Sequence, residues 1–379
     1  MRVAIALCFI ALSCAAFSET SANRWFDADL NYIGSPDRGP VGGVLLIGAA
    51  DGRRHLTCWG WADEAKKTRF NADTMCWIAS NTKGIAAAVV LTLVDDGLVS
   101  LDDPISKHLP EFAALTVKEK NGSLRPAKTV MTLRHVLSHT SGLAFFPGKP
   151  YDCRDERPMR LLAHLGAKTP LEFDPGTGFK YSNWGIDVAV AVVEAVTGRP
   201  WEERLKKRLL EPLEMNDTTF WPNEEQMRRM AKGYAFKADG GRRESTAYPL
   251  RDLRGAKPRY AEAGGGLFST ANDLYKFFRM IANVGRGENG RRVLSEKAMR
   301  EWFSKQTPEA IEKQYSLGMW INPQKNSISH AGAWRTHGIA DWENSTVRIY
   351  MVQVVRGNGD TKECEAEWER LSAGYGFGR

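Results

Sequence analysis

The chain has 379 residues, 43% of them hydrophobic and 26% charged, which excludes a disordered or fibrous protein and leaves room for a large core. Its 52 basic and 45 acidic residues give a formal charge of +7, which favours anionic surroundings. The basic residues are scattered among acidic ones, as from Trp201 to Leu210, and no nucleic-acid motif accompanies them, so nucleic acid is not an expected partner.

Residues 1–18 read as a secretory leader: Arg2, the apolar run Val3 to Phe17, and small residues at Ala16 and Ser18 before a cut. The run is too short to span a membrane comfortably, and no later stretch reaches about 18 apolar residues. The expected location is therefore periplasmic or extracellular, without stable membrane insertion. Beyond the leader lie Cys58, Cys76, Cys153 and Cys364. They allow up to two disulfides in three pairings, among which the sequence does not choose. No Cys-x-x-Cys or Cys/His cluster is present, so neither a metal nor a cofactor is expected.

Val41 to Ile47 and His55 to Trp61 read as strands joined across Ala50-Asp51-Gly52-Arg53. The apolar run Gly84 to Val94 predicts a buried helix ending at Gly97. Helical patterns follow at Leu133 to Leu137, Gly185 to Val196 and Glu202 to Leu210, broken by proline and glycine loops. Asp273 to Ala282 predicts another helix after Gly264-Gly265-Gly266. Strand signals return at Ser316 to Ile321, Asn326 to His330, Gly338 to Trp342 and Val347 to Val355, and a closing amphipathic helix carries Trp368 and Leu371. Strands at both ends with helices between predict an α/β (α+β) fold. A discontinuous sheet domain takes residues 24–105 and 250–379, and a mostly helical domain takes 106–249. Oligomeric state is not legible.

Chemistry concentrates at Ser80-Asn81-Thr82-Lys83. Ser80 is the only serine with a lysine three residues on, and i,i+3 positions share one helix face. At a helix start, unpaired N–H groups favour developing negative charge. A serine hydroxyl needs an adjacent base, and a lysine serves only if its titration falls from ~10.4 to about 7, roughly 4 kcal/mol of disfavoured charge. Burial supplies that. Tyr181-Ser182-Asn183, the only Tyr-x-Asn in the chain, precedes a helix. A tyrosine beside a lysine ammonium can be held partly as phenolate and shuttle a proton, and Asn183 can bond a substrate carbonyl. His330-Ala331-Gly332 ends a strand; Gly332 would admit a substrate backbone, and the Ala333 N–H could pair with that of Ser80 to hold an oxyanion.

These segments, with Leu101-Asp102-Asp103-Pro104, the stretch Thr132 to Leu143, Phe173 to Asn183 and Gly264 to Leu274, stand in an order that resembles the serine β-lactamase and penicillin-binding superfamily. The closest branch is the class C-like one of esterases, D-stereospecific peptidases and lactamases. The resemblance spans roughly residues 30 to 360. It implies a β-lactamase/transpeptidase-like fold, an antiparallel sheet flanked by helices. It implies Ser80 as acylated nucleophile, Lys83 and Tyr181 as base and acid, Asn183 orienting substrate, and the Ser80 and Ala333 amides as oxyanion hole. The implied partner is a small ester, amide or peptide. Where lactamases of the superfamily commonly carry Lys-Thr-Gly, this chain has His330, mostly neutral at pH 7. That tilts the reading to an esterase or D-amino-acid peptide hydrolase, over a β-lactamase or DD-carboxypeptidase. Two rivals stand beside it. His135 and His139 have zinc-motif spacing, but Val136 replaces the general-base glutamate. A non-catalytic binder of cell-wall fragments would use the same fold.

Overall fold

Gly42–Gly48 and Arg54–Asp63 pair as an antiparallel hairpin, close to the predicted bounds, in a computed structural model that describes residues 41–146, 166–236, 242–247 and 260–355. The expected leader, Cys153, Cys364 and the closing helix lie outside the described residues. Cys58 and Cys76 are free thiols, Cys58 exposed and Cys76 buried.

Seven strands form one sheet in the order Trp320–Asn322, Ser327–Ala331, Thr336–Asp341, Thr346–Val352, Gly42–Gly48, Arg54–Asp63 and Thr68–Arg69. Every neighbouring pair is antiparallel. Two meanders thus meet where Gly43 pairs with Val352 and Leu46 with Ile349. The alternation of a strand sends its residues to opposite faces. Val44, Leu46, Ile349 and Met351 enter the main core, while Leu45, Tyr350 and Val352 form a second cluster on the other face. The predicted strand from Ser316 shortens to Trp320–Asn322, with Gly318 before it at positive φ. Within the stretch expected to be mostly helical, Gly233–Phe236 and Arg242–Ser245 form strands, and the first pairs in parallel with Val354–Val355.

The helix Ala271–Ala282 packs on three central strands of the sheet through a face that includes Leu274, Phe277, Phe278 and Ile281. The helix Thr82–Asp95 is buried almost all round, from Thr82 to Leu93, so its apolar run shows no amphipathic stripe. Ile85, Val89, Val90, Leu91 and Leu93 are each no more than 1% exposed, and such burial stabilises by roughly 1.5–3 kcal/mol per side chain. Gly97, at φ 70°, takes the left-handed conformation that stops this helix where the sequence placed its end. Asn183–Thr197 and Glu296–Trp302 pack against it. These layers reproduce the antiparallel sheet flanked by helices expected of the β-lactamase/transpeptidase-like fold.

Candidate active site

Ser80 lies in the 3₁₀ turn Ala79–Asn81, immediately ahead of the helix Thr82–Asp95 rather than within its first turn. The turn is fastened to the sheet. The Asn81 amide donates to the carbonyls of Ile78 and Thr336, both at 3.2 Å, and the Thr336 hydroxyl donates to Ile78 O at 3.1 Å. Gly332 closes this junction. A Cβ there would overlap Ile78 O and Thr336 Oγ1, so the atoms that demand glycine belong to the protein itself, among them a carbonyl two residues before Ser80. Ala333 follows, exposed at the tip of the hairpin. Gly332→Ala is expected to cost about 1–3 kcal/mol of overpacking. That lowers the melting temperature by several degrees, measurable by calorimetry; an unchanged melt would show that the junction yields freely.

Lys83 is fully buried. Its ammonium donates to Ser80 Oγ at 3.0 Å and to Gly264 O at 2.5 Å. Just upstream in the same segment, the Ala263 N–H donates to Asp187 Oδ1 at 2.9 Å. Burial brings Lys83 down to about 7, against the opposing charges of Glu262 and Asp187. Asp187 moves the other way: burial first, then the charge of Glu262, push its carboxyl well above the usual carboxylate range. Desolvation therefore outweighs attraction at the lysine, and a free amine beside the serine is available near neutral pH.

Ser182 caps the helix Asn183–Thr197, its hydroxyl oxygen accepting the Gly185 N–H at 2.9 Å while its O–H donates to Ala144 O at 2.7 Å. The cap sets Tyr181 and Asn183 on either side of it, at the helix entrance. The Ser80 hydroxyl lies close enough to that of Tyr181 to act on its titration, and Lys83 Nζ stands 4.6 Å from the Tyr181 ring centroid. The sequence expected partial phenolate character. Burial overrides it, pushing the phenol above its ordinary value more strongly than the nearby Ser80 hydroxyl lowers it, so Tyr181 stays a neutral O–H. The Asn183 amide reaches Glu262 Oε1 at 3.5 Å, and its buried Oδ1 has no partner among the described residues.

His330, only 2% exposed, lies under Tyr181 rather than at the surface. Its Nε2 is 3.4 Å from the Tyr181 hydroxyl and 3.3 Å from that of Tyr315, and its Nδ1 is 2.9 Å from Ala331 O. Burial, then the charge of Lys83, lowers it to about 3, so it is neutral. His139 packs tilted against Tyr181, with centroids 4.4 Å apart and planes at 47°, and its Nε2 is 3.1 Å from the Tyr315 hydroxyl. His135 instead caps its own helix, its Nδ1 accepting the Thr132 N–H. The two histidines that share zinc-motif spacing thus serve separate hydrogen-bond sets. Of the tryptophans nearby in sequence, Trp184 and Trp334 are core residues. Phe145, 43% exposed, faces Tyr181 with centroids 6.2 Å apart.

Three non-glycine residues with left-handed backbone border these groups: Ala79 (φ 45°), His139 (φ 60°) and Arg335 (φ 63°). Each costs about 1–3 kcal/mol and persists only where surrounding structure enforces it. Sequence reading missed Tyr315, Glu262 and Asp187, which carry no motif. His139 was visible within Thr132 to Leu143, without a reason to face Tyr181.

The Beta-lactamase family description matches residues 26–371. Esterase EstB of Burkholderia gladioli is 32% identical over 278 residues, covering 66% of this chain and 68% of its own. Lovastatin esterase of Penicillium rubens is 31% identical over 277 residues, 68% of each chain. Among solved structures, simvastatin synthase (LovD) from Aspergillus terreus superimposes with a TM-score of 0.75 at 21% identity, over 95% of this chain and 100% of that one. A match across most of the chain, joined to the sheet and helix layers described above, makes this protein a member of the Beta-lactamase family.

Proposed function

We propose that the chain is an exported serine hydrolase that acts through a Ser80 acyl-enzyme on small ester or amide substrates, as an esterase or D-amino-acid peptide hydrolase. The observation that carries this is the 3.0 Å approach of a buried Lys83 amine, titrating near 7, to Ser80 Oγ. Export rests on the leader-like residues 1–18.

Neutral Lys83 takes the Ser80 proton as Oγ attacks the carbonyl carbon. The N–H groups of Ser80 and Ala333 hold the oxyanion. Tyr181 gives its proton to the leaving oxygen or nitrogen as that bond breaks and regains one from the Lys83 ammonium. Water then attacks the acyl carbon as Lys83 takes its proton, the C–Oγ bond breaks with its electron pair on Ser80, and the Lys83 ammonium returns that proton to Oγ as the acid leaves. Asn183 and the hairpin around Gly332 orient the substrate, and Phe145 offers an apolar wall. The buried, neutral His330 supplies no cation for a substrate carboxylate. That supports ester or peptide hydrolysis over β-lactam turnover. Two esterases among the relatives, by their names, support the same direction.

The test is acid-quenched intact mass and peptide mapping of the protein mixed with p-nitrophenyl acetate, with benzylpenicillin and a D-alanyl peptide run in parallel. An acetyl group on the Ser80 peptide, with ester or peptide consumed and benzylpenicillin untouched, is expected. Consumption of benzylpenicillin would move the protein to the lactamase branch. No adduct and no turnover of any substrate would leave a non-catalytic binder.

A further inference from the structure

Two backbone anchors fix the proton positions in the layer beneath Tyr181. The Ser182 N–H donates to His139 Nδ1 at 3.2 Å, so that nitrogen is an acceptor. In a neutral ring the proton then sits on Nε2. Burial first, then the charge of Lys83, keeps His139 neutral. Its Nε2–H therefore donates to the Tyr315 hydroxyl oxygen at 3.1 Å. At the other end, Ala331 O can only accept, so His330 Nδ1 carries a proton and His330 Nε2 is a bare acceptor. Tyr315, already accepting from His139, has one direction left for its own proton: His330 Nε2 at 3.3 Å.

That nitrogen has a single in-plane lone pair, and Tyr181 competes for it from 3.4 Å. We infer that Tyr315, oriented by His139, occupies the acceptor of His330 and so turns the Tyr181 proton away from His330, toward Ser80 and the leaving group. Tyr315 is thereby a positioning residue for general-acid catalysis, acting through His330 and Tyr181. The inference rests on the serine-hydrolase reading. On that reading the buried face of the site keeps Tyr181 a donor into the cleft. Charge and atoms balance. The Ser80 proton passes to Lys83, the Tyr181 proton to the leaving oxygen as the C–O electron pair departs with it, and the Lys83 proton returns to Tyr181.

The experiment compares kcat/KM, which reports acylation, for two esters of one acid: an ethyl ester, whose alkoxide needs a proton, and a p-nitrophenyl ester, whose phenolate leaves without one. In Tyr315→Phe the ethyl ester is expected to lose on the order of 10²-fold, the low end of general-acid contributions, and the p-nitrophenyl ester no more than about threefold. A p-nitrophenol burst equal to the enzyme concentration reports that the variant is folded. Equal losses on both esters, or none on the ethyl ester, would overturn the inference. Should Tyr315→Phe fail to fold, His139→Met removes the orienting donor and is expected to show the same selective loss; an equal loss there overturns it as well. A wild-type protein that cleaves neither ester would instead bring down the hydrolase reading, and this inference with it.

Discussion

Ser80→Ala is expected to lower turnover of an activated ester by at least about 10⁴-fold and to abolish the acyl adduct. Loss of a serine nucleophile whose partners act as a unit has effects of this order or larger. The described residues around Ser80 offer no substitute. Lys83, the nearest strong group, is fully buried and bonded to Gly264 O, and Tyr181 is a neutral phenol. The fold should survive, because the turn at Ala79–Asn81 is held by Asn81 and Thr336 rather than by the serine hydroxyl. A circular-dichroism melt at or above the wild-type temperature, with residual activity at background, is the outcome to measure. Turnover within tenfold of wild type would show that Ser80 is not the nucleophile.

Lys83→Met is expected to reduce the acylation rate by about 10³–10⁴-fold, at the upper end of general-base contributions. Methionine suits the test better than alanine, since a fully buried lysine truncated to alanine leaves a cavity. The wild-type pH profile supplies the companion measurement. With Lys83 titrating at about 7, the free-amine fraction, and with it kcat/KM, should fall about tenfold per pH unit well below 7 and level off above it. Glu262 raises the lysine's affinity for its proton, so Glu262→Gln should move this acid limb to lower pH. A limb that stayed put in Lys83→Met would assign it to another group.

Stability follows the same titration. Between about 7 in the folded chain and 10.5 unfolded, the unfolded state binds the extra proton, so stability rises with pH across that window. Relative to high pH, that stability is lost as pH falls through the window, and below about 7 the loss is complete. The full penalty is roughly 5 kcal/mol, and Lys83→Met should flatten that part of the stability profile.

Local chemistry was legible in the sequence. The serine–lysine spacing of three sets both side chains on one side of a helix start, and Tyr181-Ser182-Asn183 was legible as a segment just before a helix. The apolar run after Lys83 announced the burial that lowers its titration. The hairpin strands and the helix Leu133–Leu137 were found within a residue or two. Such features depend on neighbours a few residues apart, whose geometry any helix or turn imposes.

What only the tertiary structure decided involves partners far apart in the chain. Gly264 receives the lysine ammonium from 181 residues away, and Tyr315 meets His139 across 176. The phenolate expectation for Tyr181 failed for the same reason. Proximity to a cation was readable, whereas the depth of burial, which controls the balance between desolvation and attraction, exists only once sheet and helices have closed around the ring. Gly332 read as room for a ligand and proved to be room for Ile78 O, because which backbone crosses a glycine is a property of packing. The identity and spacing of the proposed catalytic side chains were thus written in the sequence. Their protonation states and proton directions were set by the low-dielectric interior that the fold assembles around them.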